Sequence, residues 1–302
     1  MFLTAPISNI ARSSLHDGPG IRSVVYFMGC SLRCRWCHNP ENLTSTPKIL
    51  FAPVKCISCG RCLSVCPDHH VPQNGGHVYL REGCLSCGRC TDACPAGALT
   101  LCGKAMTVDE TLRLLLKDKV YYDMSGGGVT LSGGECLLYP DFARALLCAL
   151  KDAGVHTAVE TALHVPWENV GAVLDKADLI FADLKIADSD RHRQYTGADN
   201  RLILENMRRL TGAHGHVTVR VPLIPGVNDS AADMTRFGAL LSGMGPGLHA
   251  VEPLKYNPLA DTKYVMTGLP YADFGREPQP DAVFEALKTA LKAALPDVVR
   301  VI

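Results

Sequence analysis

Fourteen cysteines stand in a chain of 302 residues, and eleven of them fall into three tight groups. The first group is Cys30-Ser31-Leu32-Arg33-Cys34-Arg35-Trp36-Cys37. Three thiolates so close together can hold three irons of a cubane cluster and leave the fourth iron open. An open coordination position separates a metal site that does chemistry from one that only holds structure. A zinc knuckle borrowing a fourth ligand, with His38 at hand, is the competing use of the same residues. The other groups are Cys56, Cys59, Cys62 and Cys66 before Pro67, and Cys84, Cys87, Cys90 and Cys94 before Pro95. Both match the bacterial ferredoxin run, whose fourth cysteine serves the other cluster. That exchange predicts one cluster on Cys56, Cys59, Cys62 and Cys94, and another on Cys84, Cys87, Cys90 and Cys66. Two zinc ribbons are the alternative. Such clusters can relay electrons or stand in for a core. Disulfides are disfavoured by the repeated two-residue spacing and by a reducing compartment. Cys102, Cys136 and Cys148 lack ligand spacing and read as small buried hydrophobes.

Further polar residues sit where strands are expected to end. Gly133-Gly134-Glu135 follows an expected strand at 129–132, Glu160-Thr161 ends the next, Asp183-Leu184-Lys185 the one after, and Arg220 another. Parallel α/β folds place their sites at these strand ends. Glycine there lets a ligand approach the backbone. Ordinary turns and surface ion pairs are the plain alternatives.

The Cys-x3-Cys-x2-Cys spacing after a first strand, with Trp36 before the last cysteine, resembles the radical S-adenosylmethionine superfamily. His16-Asp17-Gly18-Pro19-Gly20-Ile21-Arg22 upstream and His38-Asn39-Pro40-Glu41 downstream narrow the resemblance to the activating enzymes of glycyl radical enzymes, over essentially the whole chain. The resemblance implies that the open iron is chelated by the amino and carboxylate groups of S-adenosylmethionine. An electron from the reduced cluster would then yield a 5′-deoxyadenosyl radical that takes hydrogen from a glycine of a partner enzyme. Cys30, Cys34 and Cys37 are the implied catalytic ligands. Implied cofactor contacts are Trp36, Cys37, His38 and Asn39, then Gly133, Gly134 and Glu135 at the amino group. Lys185 and Arg220 would face the carboxylate or ribose, with Glu160, Asp183 and Leu184 nearby and a monovalent cation near Glu160 and Asp183. Asn257 falls where the family often has histidine; it can hydrogen-bond but carries no charge. The segment Ser125-Gly126-Gly127-Gly128 also resembles this group and offers a hinge. A glycyl radical enzyme is the implied protein partner, and flavodoxin or ferredoxin the electron donor, with the chain itself a monomer. A radical enzyme acting on another peptide or small molecule, and a plain electron carrier, are the alternatives.

These residues need elements to position them. Residues 22–27 read as a buried strand running into Cys30. Thr107 and Glu110 form a capping-box pattern opening a helix to 119. Expected strands at 129–132, 155–159, 178–182, 216–221, 248–252 and 298–302 alternate with expected helices at 140–152, 166–175, 200–211, 230–243 and 280–293. Such alternation predicts an α/β fold with a parallel sheet. Six units point to a partial (β/α)6 TIM-like barrel, with an open doubly wound sheet as the alternative. Residues 45–103 carry eight clustered cysteines, so the division predicted is 1–44 plus 104–302 as the barrel and 45–103 as an inserted two-cluster ferredoxin-like domain. The chain is 47% hydrophobic and 20% charged, with 30 basic and 30 acidic residues. No basic surface for nucleic acid is expected. No signal-peptide pattern or membrane span is read, so the expected location is cytoplasmic.

Overall fold

The computed structural model describes residues 3–73 and 76–302. In chain order its strands are β1 (Thr4–Ser14), β2 (Arg22–Phe27), β3 (Lys48–Phe51), β4 (His70–Gln73), β5 (Gly76–Tyr79), β6 (Leu99–Cys102), β7 (Lys104–Thr107), β8 (Gly128–Gly133), β9 (His156–Thr161), β10 (Leu179–Asp183), β11 (Val217–Pro222), β12 (Leu248–Leu254) and β13 (Arg300–Val301). Nine of these form one sheet among the described residues, in the order β13-β12-β11-β10-β9-β8-β2-β1-β7. From β2 through β8 to β13 every neighbour is parallel. The order never reverses, as a doubly wound sheet requires. It is the order of a β/α barrel left open between β13 and β7. β1 is antiparallel to both β2 and β7.

The expected parallel strands all appear within two residues of their expected ends. Val129, Leu131, Val159, Ile180, Ala182, Val219 and Val221 are almost wholly buried along them. Such continuous apolar runs mark strands covered on both faces. The covering helices supply matching stripes. Pro140–Asp152 buries Phe142, Ala143, Leu146, Leu147 and Leu150, and Arg201–Ala213 buries Ile203, Leu204, Met207 and Leu210. Thr107 and Glu110 close the capping box reciprocally at the start of helix Val108–Leu115. The helix expected at 166–175 stops at Gly171. Strand β1 and the helices Ser189–Thr196 and Asp261–Thr267 were not foreseen.

Between β2 and β7 lies different architecture. β3 pairs with β6 and β4 with β5 in two separate small sheets. Their buried cluster, Ile49, Phe51, Cys62, Tyr79, Cys90, Ala98 and Leu99, is small and includes two of the clustered cysteines. Helix Asp261–Thr267 packs on β3 and on the short turn Pro40–Asn42. Across the same junction Arg81 Nη2 donates to the Met266 carbonyl at 2.8 Å.

The glycine run at 125–128, read as a hinge, is a packed junction instead. A Cβ on Gly127 would lie 1.9 Å from the Ile21 carbonyl oxygen. Ser125 Oγ accepts from the Ile21 amide at 2.8 Å, which fixes this run against the Gly18-Pro19-Gly20 turn.

Candidate active site

The end of β2 leads into the loop that carries Cys30, Cys34 and Cys37. Hydrogen bonds from Gly134 N to Phe27 O at 2.8 Å and from Glu135 N to Gly29 O at 2.7 Å press the end of β8 against this loop. The glycines serve that approach. A Cβ on Gly133 would sit 2.3 Å from Phe27 N, and one on Gly134 2.1 Å from Gly29 O. Gly133 also has a φ of +110°, which few other residues adopt.

At these strand ends opens a cavity of about 240 Å³. Cys30, Cys34, Cys37, Trp36, His38, Asn39, Gly133, Gly134, Glu160, Asp183 and Lys185 all line it, as their sequence positions predict. Apolar Leu32, Leu43, Ala162, Pro222 and Leu254 fill the gaps. Behind Trp36 stand Tyr195 and Phe274, with ring centroids 6.1 and 6.0 Å away.

Charge on the walls is held in pairs. Lys185 Nζ donates to Asp183 Oδ2 at 2.7 Å. Arg220 donates to Glu160 Oε1 at 2.7 Å and to Glu252 Oε2 at 2.8 Å, and its guanidinium lies 3.8 Å over the Phe181 ring. Burial alone would raise the Glu160 carboxyl, but Arg220 and the Ser132 hydroxyl hold it below its ordinary value. Burial pushes the Asp183 carboxyl up, against the pull of Lys185 and with the repulsion of Glu160. Lys185 is held above its ordinary value, despite burial, by the Asp183 carboxylate with a smaller pull from Glu160.

Four expected contacts lie elsewhere. The Glu135 carboxyl turns away from the cavity and accepts from Leu137 N at 3.1 Å and from Thr161 Oγ1 and Ala162 N at 2.9 Å. Its strand-end position supplies a buried brace between two βα turns. Leu184 points into the apolar core. The Arg220 side chain reaches from β11 across Phe181 to the carboxylates of β9 and β12, so it steadies Glu160 from behind. Asn257 is exposed, and its backbone carbonyl meets His38 Nε2 at 2.6 Å. That bond holds the imidazole by main chain, and the Asn257 side chain accepts from Leu259 N at 3.0 Å.

Sequence reasoning missed Ser132, which donates to Glu160, and Asn42. Asn42 is 1% exposed, lines the cavity, and neither side-chain atom has a hydrogen-bond partner. Lys263 was also missed; its Nζ donates to Asn39 Oδ1 and Glu41 Oε1, both at 2.8 Å.

The three thiols fit an iron–sulfur cluster. They are free, face one cavity and share no disulfide. Burial pushes Cys30 up to about 11 and raises Cys34 and Cys37, while Lys185 pulls each of them down. Bound metal would offset that burial and hold the sulfurs as thiolates.

Residues 24–238 match the model of the radical SAM superfamily. The chain is 39% identical to a (2S)-3-sulfopropanediol dehydratase activating enzyme from Klebsiella oxytoca, over 88% of this chain and 86% of that one. It is equally identical, at 39%, to a benzylsuccinate synthase activating enzyme from Thauera aromatica over 95% and 89% of the two. The chain belongs to the glycyl radical enzyme activating enzymes of the radical SAM superfamily. A radical SAM methyltransferase from Sphaerobacter thermophilus shares the fold, with TM-score 0.56 and 17% identity over 100% of this chain and 78% of that one. This activating enzyme therefore uses S-adenosylmethionine and a [4Fe–4S] cluster, and its task is hydrogen abstraction from a glycine of a partner glycyl radical enzyme. Among its described residues no helix is long and apolar enough to cross a membrane.

The eight cysteines between β3 and β6 gather in two further pockets of the activating enzyme. Cys56, Cys59, Cys62 and Cys94 line one, of about 20 Å³, with the His77 ring among them. Cys66, Cys84, Cys87 and Cys90 line the other, of about 250 Å³, together with His70 and Tyr79. The grouping crosses the two sequence runs.

Proposed function

We propose that this activating enzyme holds three [4Fe–4S] clusters: one on Cys30, Cys34 and Cys37, one on Cys56, Cys59, Cys62 and Cys94, and one on Cys84, Cys87, Cys90 and Cys66. The crossed gathering of the eight cysteines in two pockets supports this reading. Residues 45–103 then form an inserted ferredoxin-like domain on a barrel of 1–44 and 104–302, with metal in place of much of its core.

When bound, the first cluster and S-adenosylmethionine together supply one electron and a carbon-centred hydrogen acceptor. The chain supplies position. Cys30, Cys34 and Cys37 would hold three irons of that cluster, leaving the fourth to the amino and carboxylate groups of the cofactor. Lys185 places a cation on the cavity wall, suited to a carboxylate. Trp36, Leu43, Ala162, Pro222 and Leu254 keep water from the reacting carbon. Glu160 and Asp183, at the ends of the neighbouring strands β9 and β10, repel one another, and a monovalent cation between them would relieve that. Omitting potassium and sodium should then slow cofactor cleavage.

The partner is of the dehydratase, lyase or synthase kind. The relatives' names support this class: a (2S)-3-sulfopropanediol dehydratase, a benzylsuccinate synthase and a choline trimethylamine-lyase, at 37–39% identity. Near-equal likeness to activators of different partners selects none of them. A flavodoxin or ferredoxin is the electron source.

Reduced enzyme mixed anaerobically with S-adenosylmethionine and a candidate glycyl radical enzyme should give a glycyl doublet by electron paramagnetic resonance, with 5′-deoxyadenosine formed in step. Cleavage without a radical on any such partner, but with change in a small molecule, would overturn the assignment. Reconstituted protein should hold about twelve irons, and Cys37→Ala about eight with no cofactor cleavage. About eight irons in the unmodified protein with cleavage intact would contradict the three-cluster reading.

A further inference from the structure

The hairpin β4–β5 is patterned inside out. His70 pairs with Tyr79, Val71 with Val78 and Pro72 with His77, so His70, His77 and Tyr79 share one face and the two valines share the other. A hairpin on an apolar core buries its valines. Here Val71 is 42% and Val78 36% exposed, whereas His70 is 1% exposed. The inward face therefore meets something polar.

What it meets are the two four-cysteine pockets. His70 lines the pocket of Cys66, Cys84, Cys87 and Cys90, and both of its ring nitrogens are buried without a hydrogen-bond partner. His77 lines the other pocket, with Nδ1 3.3 Å from Cys56 Sγ and Nε2 3.7 Å from Cys62 Sγ. The two ring centroids lie 5.2 Å apart, one ring in the lining of each pocket. The Phe51 ring lies 4.7 Å from that of His77, and the Tyr79 ring 5.2 Å from that of His70. Neither histidine belongs to a cysteine run, and neither is used by the radical site.

We infer that His70 and His77 each donate an N–H to sulfur in the pocket they face, and so hold up the reduction potentials of the two clusters of the insert. The inference rests on the three-cluster reading. An N–H directed at cluster sulfur stabilises the more negative, reduced state, and outer hydrogen bonds are a recognised lever on such potentials. An imidazole also closes each pocket against water without adding charge.

The test uses the full chain, reconstituted with iron and sulfide, in a Cys37→Ala background that removes the signal of the radical site. Potentials are read by redox titration under electron paramagnetic resonance, beside iron and zinc content. His77→Phe and His70→Phe should each keep about eight irons and shift one of the two potentials downward, a different one in each variant. His77→Gln and His70→Gln keep an N–H and should restore part of the shift. Unchanged potentials at full iron content would overturn the inference. So would loss of about four irons in a histidine variant, which makes that histidine a ligand. The donor atoms of Cys62, His70 and His77 lie within 4.8 Å of one another, enough for one ion; zinc that disappears with either histidine would also overturn it. Unmodified protein holding about four irons would instead remove the three-cluster reading itself.

Discussion

Glu135 shows how a residue next to the chemistry can serve the scaffold. Burial pushes its carboxyl up from 4.5 to about 7, despite the amides of Leu137 and Ala162 and the Thr161 hydroxyl. Between those two values the folded chain keeps a proton that the unfolded chain has released. Stability must therefore fall as pH rises through this window, by on the order of 3 kcal/mol. Thermal unfolding of the wild type should weaken from pH 5 to pH 8 relative to Glu135→Gln, which cannot ionise. Parallel curves for the two proteins would show that Glu135 keeps an ordinary acidity. Asn42 is the opposite case, a polar side chain with nothing to bind in the protein. Burying it unpartnered costs about 1–3 kcal/mol, which a bound cofactor can recover. Asn42→Ala should weaken S-adenosylmethionine binding about tenfold, read from the cofactor-dependent change in the cluster's paramagnetic signal. An unaltered affinity would make it a packing residue.

Elements of this chain differ in how openly the sequence announces them. The parallel strands and most covering helices were legible because both faces of a covered strand, and one stripe of a helix, must be apolar. Strand β1 was not, since Pro6 and two register irregularities break its period of two. Helix Ser189–Thr196 hides for another reason: its sequence SDRHRQYT has no apolar stripe. Of the site, the cysteines and the strand-end charges were legible from type and spacing. The face to which Glu135 and Arg220 turn was not, because position in a strand gives the end of the sheet and not the reach of a side chain. Glycines divide in the same way. Gly127→Ala would drive a methyl group into the Ile21 carbonyl, so loss of more than about 4 kcal/mol, seen as insoluble or unfolded protein, is expected. Gly171→Ala meets nothing within 4 Å in its helix. It should raise the melting temperature slightly, for a gain of up to about 1 kcal/mol; equal effects at both positions would refute the packing argument.

Over the whole molecule, one guanidinium ties the cysteine-rich segment to the barrel. Arg81 reaches the Met266 carbonyl, lies 4.9 Å over the Tyr79 ring and fits against Gly268. Arg81→Ala should speed proteolysis within 48–102 while the barrel stays resistant, and replacing Cys59 and Cys87 should do so more strongly by removing the metal that stands for a core. A segment that stays protected in both variants would show that its small apolar cluster suffices. The ladder of β3 and β6 has a further consequence. Lys48 pairs with Cys102 and Phe51 with Leu99, so chain leaves and returns across one set of antiparallel rungs. Everything between Phe51 and Leu99 is a loop whose two ends are already fastened side by side. Insertions or deletions inside that loop leave the spacing of β2 and β7 untouched, which lets evolution lengthen, shorten or exchange it as a cassette without re-laying the barrel.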